Sequence, residues 1–421
     1  MRTLADGFTG AVMAVESITD GIALLHGPGG CRVRHMVYST AVFPRQEDSG
    51  DYLMSPYFCG YPRVPATYLD EYDFVNGAMY KLDEALPVIA ARDPGIVVVI
   101  DSPGAALIGD DVSAAISDSP LSGKAVHMDE SLVSEPCSFG YGYTLKRVMT
   151  YLAPEHRDVR KGTVILLGLS ILDKDWRSGR DELIDMVESM GLEVICTPGA
   201  DASVPQLRES VNAEFGVMVC PEMCAGLSDY YEGLGMRIIR SEAGAPVGFD
   251  AIGSWIEEIA RVTGADPSKP LAYLDRKRRV VFEKMVGVRY NAVRIRGLTF
   301  SVAGIASIVR PLTEWLYGFL AMAPVAVDVD PGYDAAERQK MKEFLDSVDY
   351  GNAFGMEPTD SDVVLCEGIE ATTMLLSERC RIAIPIGFSS MGIDDVIPRP
   401  IYGTLGAFYI LDEILHGVRG I

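Results

Sequence analysis

Short apolar runs rich in β-branched residues recur along this chain, and segments with helical spacing separate them. Such a pattern predicts parallel sheets covered on both faces, because strands buried on both sides carry apolar residues at nearly every position. Strands are predicted over 95–101, 163–169, 193–196, 216–220, 236–240, 298–302, 323–329, 362–366 and 380–385. Helices are predicted over 181–190, 205–212, 252–262, 271–288 and 402–416. The chain is therefore predicted to be an α/β protein with several doubly wound sheets.

The length of 421 residues exceeds what one hydrophobic core usually spans, so more than one domain is expected. Pro154 and Gly162 frame one boundary, and the Gly- and Pro-containing stretch 264–270 marks another. These signals predict three α/β domains over 1–155, 160–265 and 270–421. A hydrophobic fraction of 48% is enough to build a core in each of them.

The net charge of −22 argues against a nucleic-acid-binding protein, since phosphates are bound by basic surfaces. The N-terminus has no apolar core of a signal peptide, and the longest apolar stretch, 297–309, is interrupted by serines and ended by Arg310. Eight cysteines lack the density of a secreted disulfide framework. We therefore expect a cytoplasmic protein whose thiols stay reduced and are free to bind metal.

Two cysteines near the start of the chain are the candidate metal ligands. Cys31 ends the run Leu-Leu-His-Gly-Pro-Gly-Gly-Cys over 24–31, and Cys59 lies in Tyr-Phe-Cys-Gly over 57–60. A thiolate after a glycine-rich turn has little bulk around it, so an inorganic cluster can approach closely. The alternative is that both are buried residues acting as small hydrophobes. Their 28-residue separation matches no zinc-binding pattern.

Three motifs in the first part of the chain occur in a specific order. They are His-Gly-Pro-Gly-Gly-Cys over 26–31, Asp-Phe-Val-Asn-Gly over 73–77 before a helix that carries Lys81, and Ile-Gly-Asp-Asp over 108–111 after a buried strand. In these motifs the chain resembles the nitrogenase component 1 family. The resemblance extends over essentially the whole chain and implies three doubly wound parallel-sheet domains around a central cleft.

The resemblance also implies an iron–sulfur cluster at a subunit interface. The family's third cysteine is expected just before Ile108, where this chain has Ser102 and Pro103 instead. This departure disfavours the eight-iron cluster of true nitrogenases. It implies a [4Fe–4S] cluster held by Cys31 and Cys59 from each of two like chains, forming a homodimer, or completed by a paralogous subunit.

The third domain lacks the histidine that holds the molybdenum–iron cofactor of nitrogenase. The corresponding segment 386–392 reads Ile-Gly-Phe-Ser-Ser-Met-Gly, and no histidine occurs from 157 to 415. The chain therefore resembles the tetrapyrrole-reducing branches, dark-operative protochlorophyllide reductase and Ni-sirohydrochlorin a,c-diamide reductive cyclase, more than true nitrogenase. We expect the catalytic component of a two-component reductase that reduces an unsaturated, tetrapyrrole-like substrate.

Neither a GxxxxGK[ST] phosphate loop nor a GxGxxG motif after a strand occurs in the chain. The resemblance therefore implies a separate partner, an iron–sulfur ATPase that delivers electrons while hydrolysing ATP. Two other functions stay open: a metallocofactor-assembly scaffold of the same family, and a non-redox ligand-binding module with three α/β domains around a cleft.

Several other residues have candidate roles between which the sequence alone does not choose. Proton donation could fall to one of several turn residues, by general acid catalysis: His35, Asp110, Asp111, Asp394 and Asp395. Arg32 and Arg34 flank the cysteine turn and are expected to pair with acids at a subunit interface or to donate to cluster sulfurs. Cys137, Cys220 and Cys224 are candidates for a cluster contact or for ordinary burial. Cys196, Cys366 and Cys380 are expected to be core residues.

Overall fold

The computed structural model describes residues 5–42, 64–152, 157–290, 295–330, 335–387 and 396–419. Within them the strands are β1 (Gly21–His26), β2 (Ile96–Asp101), β3 (Ala125–Met128), β4 (Arg160–Leu167), β5 (Glu193–Cys196), β6 (Ala213–Met218), β7 (Arg237–Ile239), β8 (Thr299–Gly304), β9 (Ala323–Val329), β10 (Ser361–Cys366) and β11 (Cys380–Pro385). The nine predicted strands are all present, with ends shifted by three residues or fewer.

The helices cover the sheets and connect the strands. They are α1 (Gly7–Glu16), α2 (Gly29–Val42), α3 (Glu71–Asn76), α4 (Met79–Ala90), α5 (Val112–Asp118), α6 (Cys137–Leu152), α7 (Trp176–Glu188), α8 (Val204–Glu209), α9 (Leu227–Gly233), α10 (Phe249–Thr263), α11 (Ser268–Tyr290), α12 (Ala306–Gly318), α13 (Ala335–Ser347), α14 (Gly368–Leu376) and α15 (Gly403–Arg419). The five predicted helical segments correspond to α7, α8 with the short 3-10 turn after it, α10, α11 and α15.

The described strands form three sheets in which every pair is parallel. Their orders are β1-β2-β3, β5-β4-β6-β7 and β9-β8-β10-β11. All six residues of β2 are buried, as expected for a strand between two helical layers. The predicted α/β class with doubly wound parallel sheets is confirmed. Each sheet falls within one of the three predicted domains, whose boundaries stay a prediction.

Two strands of the first sheet were not predicted. The sequence of β1, Gly-Ile-Ala-Leu-Leu-His, is rich in residues that also favour helices, although all six of its residues are buried. The four-residue β3 is too short to show a pattern. Pairing with β2 fixes both of them as strands, with Leu24 opposite Val99 and Val99 opposite His127.

Helices α1 and α6 join the first sheet to the second through unusually close packing. A Cβ atom on Gly10 would lie 2.0 Å from the carbonyl oxygen of Cys137, and one on Gly140 would lie 1.9 Å from that of Gly7. Only glycine permits this approach. Because α6 leads into β4, the contact sets the position of the second sheet relative to the N-terminal segment.

Candidate functional site

Cys31 lies in the first turn of α2, directly after the turn that follows β1. The residue is partly exposed, and its carbonyl oxygen accepts a hydrogen bond from His35 Nδ1 at 2.6 Å. Partial burial and the nearby Asp6 carboxylate both raise the pKa of the Cys31 thiol. A bound cation would reverse the effect of both, because metal coordination favours the thiolate. The second predicted ligand, Cys59, lies outside the described residues.

The turn that carries Cys31 is packed on one side and open on the other. A Cβ on Gly29 would lie 2.6 Å from the Tyr68 ring, whereas one on Gly30 would meet no heavy atom of the described residues within 4 Å. No group of three or more His, Cys, Asp or Glu side chains in the described part of the chain could hold a metal ion. Within the described residues, Cys31 is therefore not part of a set of three or more metal-ligating side chains.

Exposed apolar side chains occur on the segments next to this turn. Tyr68 packs against Gly29 in the same turn as Cys31, and Phe74 packs against Gly104 after β2. We call this set the apolar rim: Val33, Tyr68, Phe74, Val75 and Leu107, of which Val75 and Leu107 are 82% and 87% exposed. Clustered exposed apolar side chains mark interaction surfaces. Val33 and Tyr68 are the members of the apolar rim that lie beside the cysteine turn, by sequence and by contact with Gly29 respectively.

Buried polar contacts beneath the turn account for two of the sequence motifs. His26, at the end of β1, contacts Asp110 Oδ2 at 3.2 Å through Nε2 and Thr67 Oγ1 at 3.1 Å through Nδ1. Asp110 also accepts from the N–H of Ala78, just before α4. The Ile-Gly-Asp-Asp motif therefore ties α4 to the cysteine turn, which explains why the motifs occur together.

Ser102 occupies the place where the resemblance led us to look for a third cysteine. It is buried, its N–H donates to the carbonyl of His26 at 2.8 Å, and its hydroxyl accepts from the N–H of Ala105 at 3.3 Å. A Cβ on Gly27 would lie 2.6 Å from this hydroxyl. Ser102 therefore packs directly against the cysteine turn.

Several of the turn residues suggested as proton donors make structural contacts, and their suggested role stays a prediction. Asp110 is engaged as described, and Asp111 caps the N-terminus of α5 by accepting from the N–H of Ala114 at 3.0 Å. The His35 ring lies between the Cys31 carbonyl and the Thr9 hydroxyl. Asp394 and Asp395 lie outside the described residues, so their suggested role stays a prediction.

Of the two arginines beside the cysteine turn, the structure describes the side chain of Arg32. Arg32 is buried and donates from Nε to the Val64 carbonyl at 3.1 Å and from Nη1 to the Tyr68 hydroxyl. It therefore holds segment 64–68 against α2. The Arg34 side chain lies outside what is described, so its predicted pairing stays a prediction.

A second candidate site lies where the other two sheets face each other. In a doubly wound sheet, ligands bind beyond the carboxyl ends of the strands, at the point where successive connections run in opposite directions. The strand orders place this switch point between β4 and β6 in the second sheet and between β8 and β10 in the third. The loops after these strands meet each other, so the two switch points share one interface.

A small cavity lies at this interface, with an enclosed volume of about 40 Å³. The carboxyl ends of all four strands of the third sheet contribute to it, through Gly304, Asp330, Glu367 and Ile386. From the second sheet it is lined by Asp173, and from the N-terminal segment by Ala5. The enclosed part admits one or two water molecules or a small substituent of a larger ligand.

Asp173 is the buried acid of this cavity. It is 5% exposed, and its Oδ2 accepts from the N–H of Ser170 at 3.0 Å in the loop after β4. Burial raises the pKa of Asp173 to about 7, although the Ser170 hydrogen bond works in the opposite direction. The carboxyl group is therefore poised to gain or lose a proton near neutral pH.

A buried polar cluster lies near Asp173. Glu222, after β6, accepts from the Ser307 N–H at 2.9 Å and from the Ser307 hydroxyl at 2.5 Å, linking the second sheet to the third. The Cys220 thiol lies 3.5 Å from the Glu222 carboxylate. Burial, together with the nearby Asp173, Cys220 and Glu222, raises the pKa of the Tyr402 hydroxyl.

The remaining cysteines are packed in the core. Cys137, Cys220 and Cys224 are each 3% exposed or less. Burial raises the pKa of the Cys220 and Cys224 thiols, in the latter case to about 12, so neither is a ready thiolate ligand. Cys196, Cys366 and Cys380 are also buried, as predicted for core residues.

The N-terminal segment connects the two candidate sites. Ala5 lines the cavity, and the carboxylate of the adjacent Asp6 helps to raise the pKa of the Cys31 thiol. Asp6 also caps α1, accepting from the N–H of Thr9 at 2.8 Å. The cysteine turn and the cavity are therefore held together by the start of α1, which the sequence did not reveal because their residues are far apart along the chain.

Comparison with protein families adds a match over most of the chain. Residues 7–365 match the family of nitrogenase component 1 type oxidoreductases. The chain belongs to this family. Its members are oxidoreductases that generally bind iron–sulfur clusters. The membership of this family, predicted from the three motifs of the first domain, is confirmed.

Two curated relatives match with 25% identity. One is the beta chain of the nitrogenase molybdenum-iron protein of Methanococcus maripaludis, over 456 residues that span 97% of this chain and 92% of that one. The other is one of the subunits of the light-independent protochlorophyllide reductase of Methylocella silvestris, over 243 residues, 52% of this chain and 47% of that one. Both are named as one chain of a larger protein.

Solved structures of nitrogenase Cp1 share the fold of this chain. The structure at pH 6.5 has a TM-score of 0.77 at 14% identity, covering 100% of this chain and 94% of that one. The structure at pH 5 has a TM-score of 0.67 at 16% identity, covering 99% and 88%. Among the described helices, none is long and apolar enough to cross a membrane.

Proposed function

We propose that this chain is the catalytic component of a nitrogenase-like reductase. Cys31 and Cys59 contribute to a [4Fe–4S] cluster that a second, like or paralogous chain completes. The cluster takes up electrons one at a time from an iron–sulfur ATPase partner. The substrate is an unsaturated, tetrapyrrole-like molecule that binds at the interface of the second and third sheets.

The observation that carries this proposal is the setting of Cys31. Cys31 is partly exposed at a glycine turn with open space beside Gly30 among the described residues, and Val33 and Tyr68 of the apolar rim lie beside this turn. A cubane cluster needs four ligands, whereas the described residues offer one thiol at this place. A cluster closed by another chain explains both the missing ligands and the exposed apolar surface.

The chain's own residues have separable tasks in this scheme. His26, Thr67 and Asp110 fix the cysteine turn, and the start of α1 fixes that turn relative to the cavity. The facing switch points hold the substrate and exclude water from part of it. When bound, the cluster supplies single electrons, and the protein must supply protons to match them.

The tetrapyrrole part of the proposal rests on the similarity to the protochlorophyllide reductase chain and on the missing third-domain histidine. The enclosed cavity of about 40 Å³ is too small for a whole tetrapyrrole. We therefore place only one edge or substituent of the substrate there, with the rest in the open part of the interface.

Metal analysis tests the cluster. After strictly anaerobic purification we expect about four irons and as many acid-labile sulfides per pair of chains, with a paramagnetic signal after dithionite reduction. Cys31→Ala removes the iron and weakens the association of the chains. The matched control, Cys380→Ala at a buried strand end, keeps both. An iron-free wild-type protein contradicts the proposal and favours the non-redox binding module.

Reduction of protochlorophyllide, used as the probe substrate, tests the activity. The complete complex with an iron–sulfur ATPase component, Mg-ATP and dithionite should bleach the absorption of the probe, and a non-hydrolysable ATP analogue should not support this. A cluster-loaded complex that leaves the probe unchanged contradicts the tetrapyrrole assignment. A metallocluster precursor that co-purifies with such a complex supports the assembly scaffold instead.

A further inference from the structure

We propose that Asp173 is the proton donor of this cleft, delivering a proton to a substrate held where the switch points of the second and third sheets face each other. The proposal rests on the function proposed above and names a catalytic residue for it. Nothing in the three motifs of the first domain pointed to this side chain.

The position of Asp173 supports its assignment as the proton donor. It belongs to the loop after β4, at the switch point of the second sheet, and it lines the cavity opposite Gly304 and Glu367 at the switch point of the third. A ligand at this place lies in the crevice that doubly wound sheets use for binding. Asp173 is the cavity residue that the second sheet contributes.

The hydrogen bonding of Asp173 also supports its assignment as the proton donor. One hydrogen bond, from the Ser170 N–H to Oδ2, is the only one its side chain makes among the described residues. No described residue forms a hydrogen bond to the other carboxyl oxygen, which belongs to a residue that lines the cavity. A carboxylic acid with one oxygen anchored and the other available can hold its proton toward the cavity.

Burial of Asp173 favours the protonated acid. Titratable and charged groups lie near it on several elements: Tyr141 on α6, Lys174 in its own loop, Cys220 and Glu222 after β6, Asp330 after β9, Glu367 after β10 and Tyr402 before α15. Lys174 lies 5.1 Å from the centre of the Tyr409 ring, and no lysine or arginine lines the described cavity. Burial therefore keeps the proton on Asp173 up to about pH 7.

The neighbouring acid Glu222 is unsuited to the same task. Both of its oxygens accept hydrogen bonds from Ser307, so releasing or rotating a proton there would disturb the link between the sheets. It does not line the cavity. Glu222 therefore positions the two loops, whereas Asp173 faces the ligand.

The proposed reaction is a two-electron, two-proton reduction of the substrate. Two electrons from the reduced iron–sulfur partner enter the substrate, and its carbon–carbon or carbon–nitrogen double bond becomes a single bond. Two protons are taken up, one from the Asp173 carboxyl and one from the solvent. The Asp173 carboxylate then regains a proton from the solvent through the water that the cavity admits, so the net reaction consumes two electrons and two solvent protons. The partner protein is oxidised and the substrate reduced.

Three variants separate this role from a structural one. Asp173→Asn keeps the acceptor for the Ser170 N–H but has no proton to donate, and Asp173→Glu restores an acid. Asp185→Asn, the same change at an exposed site on α7, is the control. The complete complex is assayed with protochlorophyllide from pH 5.5 to pH 9, and iron content is measured for each variant.

Wild-type turnover should fall as pH rises through about 7, as the proton on Asp173 is lost. Asp173→Asn should lower kcat by about 10²–10⁴-fold with iron content unchanged and without this pH dependence, and Asp173→Glu should recover part of the rate. Wild-type kinetics in Asp173→Asn overturn the proposal. Loss of rate in Asp185→Asn as well overturns the assignment to Asp173.

Infrared spectroscopy of the purified protein tests the acid without turnover, and so separates this proposal from the proposed function. The wild type should show a protonated-carboxyl C=O band that disappears with a midpoint near pH 7 and that Asp173→Asn lacks. A wild-type spectrum without this band at pH 5.5 shows that Asp173 has no proton to give and overturns the proposal, whatever the fate of protochlorophyllide.

Discussion

Glu222 and Ser307 join the second and third sheets through two buried hydrogen bonds. The Ser307 N–H donates to Oε1 at 2.9 Å and its hydroxyl donates to Oε2 at 2.5 Å. Glu222 is 3% exposed and Ser307 is fully buried. Burial raises the pKa of Glu222, although the Ser307 hydrogen bonds oppose this effect. The contact holds the two switch points in register and so defines the cavity beside Asp173.

Glu222→Ala should destabilise the protein more than Ser307→Ala. The first change leaves a buried N–H and a buried hydroxyl without an acceptor, at a cost of about 1–3 kcal/mol for each group. The second removes one donor and costs about 1 kcal/mol. Urea unfolding followed by tryptophan fluorescence compares them, and equal losses would show that the N–H contact contributes little.

Gly140→Ala should destabilise the packing of α6 on α1. The new methyl group would lie 1.9 Å from the Gly7 carbonyl oxygen, so the helices must separate, at a cost of about 1–3 kcal/mol or more. Gly233→Ala is the matched control, because a Cβ there meets nothing within 4 Å. It should be neutral or stabilising by up to about 1 kcal/mol. Thermal unfolding of the two variants decides this.

Asp173→Asn should be more stable than the wild type at pH 8 and similar to it at pH 4. The pKa of Asp173 is raised from 3.8 to about 7 on folding, so between these values the unfolded chain has released a proton that the folded protein retains. Wild-type stability therefore falls as pH rises through this window, by about 1.4 kcal/mol for each unit of pKa shift. Asparagine does not ionise and avoids this cost. A difference that does not change between pH 4 and pH 8 contradicts the raised pKa.

Asp73→Asn should weaken the first domain at neutral pH but not in strong acid. Burial on its own would raise the pKa of Asp73, but hydrogen bonds from Lys81, at 2.5 Å, the Asp70 N–H and Tyr80 lower it to about 2. A lowered pKa contributes stability that is complete above about pH 4 and is lost as pH falls through about 2. Thermal midpoints of variant and wild type should therefore converge on acidification. A gap that persists at pH 2 contradicts this.

The comparison of β1 with β9 shows how far sequence patterns predict this fold. Ala323–Val329 was predicted with the bounds that the structure has, because its alternating valines favour a strand whatever surrounds it. Gly21–His26 was missed, since its leucines and alanine suit a helix as well. Hydrogen bonding to β2 makes it a strand, and no local pattern contains that pairing.

The residues of the candidate sites also fall into two groups, those that the sequence predicts and those that only the fold brings together. The sequence by itself determined the α/β class, the family and Cys31 as a candidate ligand, because a glycine turn and an ordered set of motifs are local features that a linear chain displays. Only the tertiary structure decided that Asp173 lines a cavity against Glu367 and that Glu222 holds Ser307. Those residues lie 194 and 85 positions apart. The physical reason is that parallel sheets bring the carboxyl ends of distant strands to one edge, and the packing of two such edges follows from the fold rather than from any local sequence.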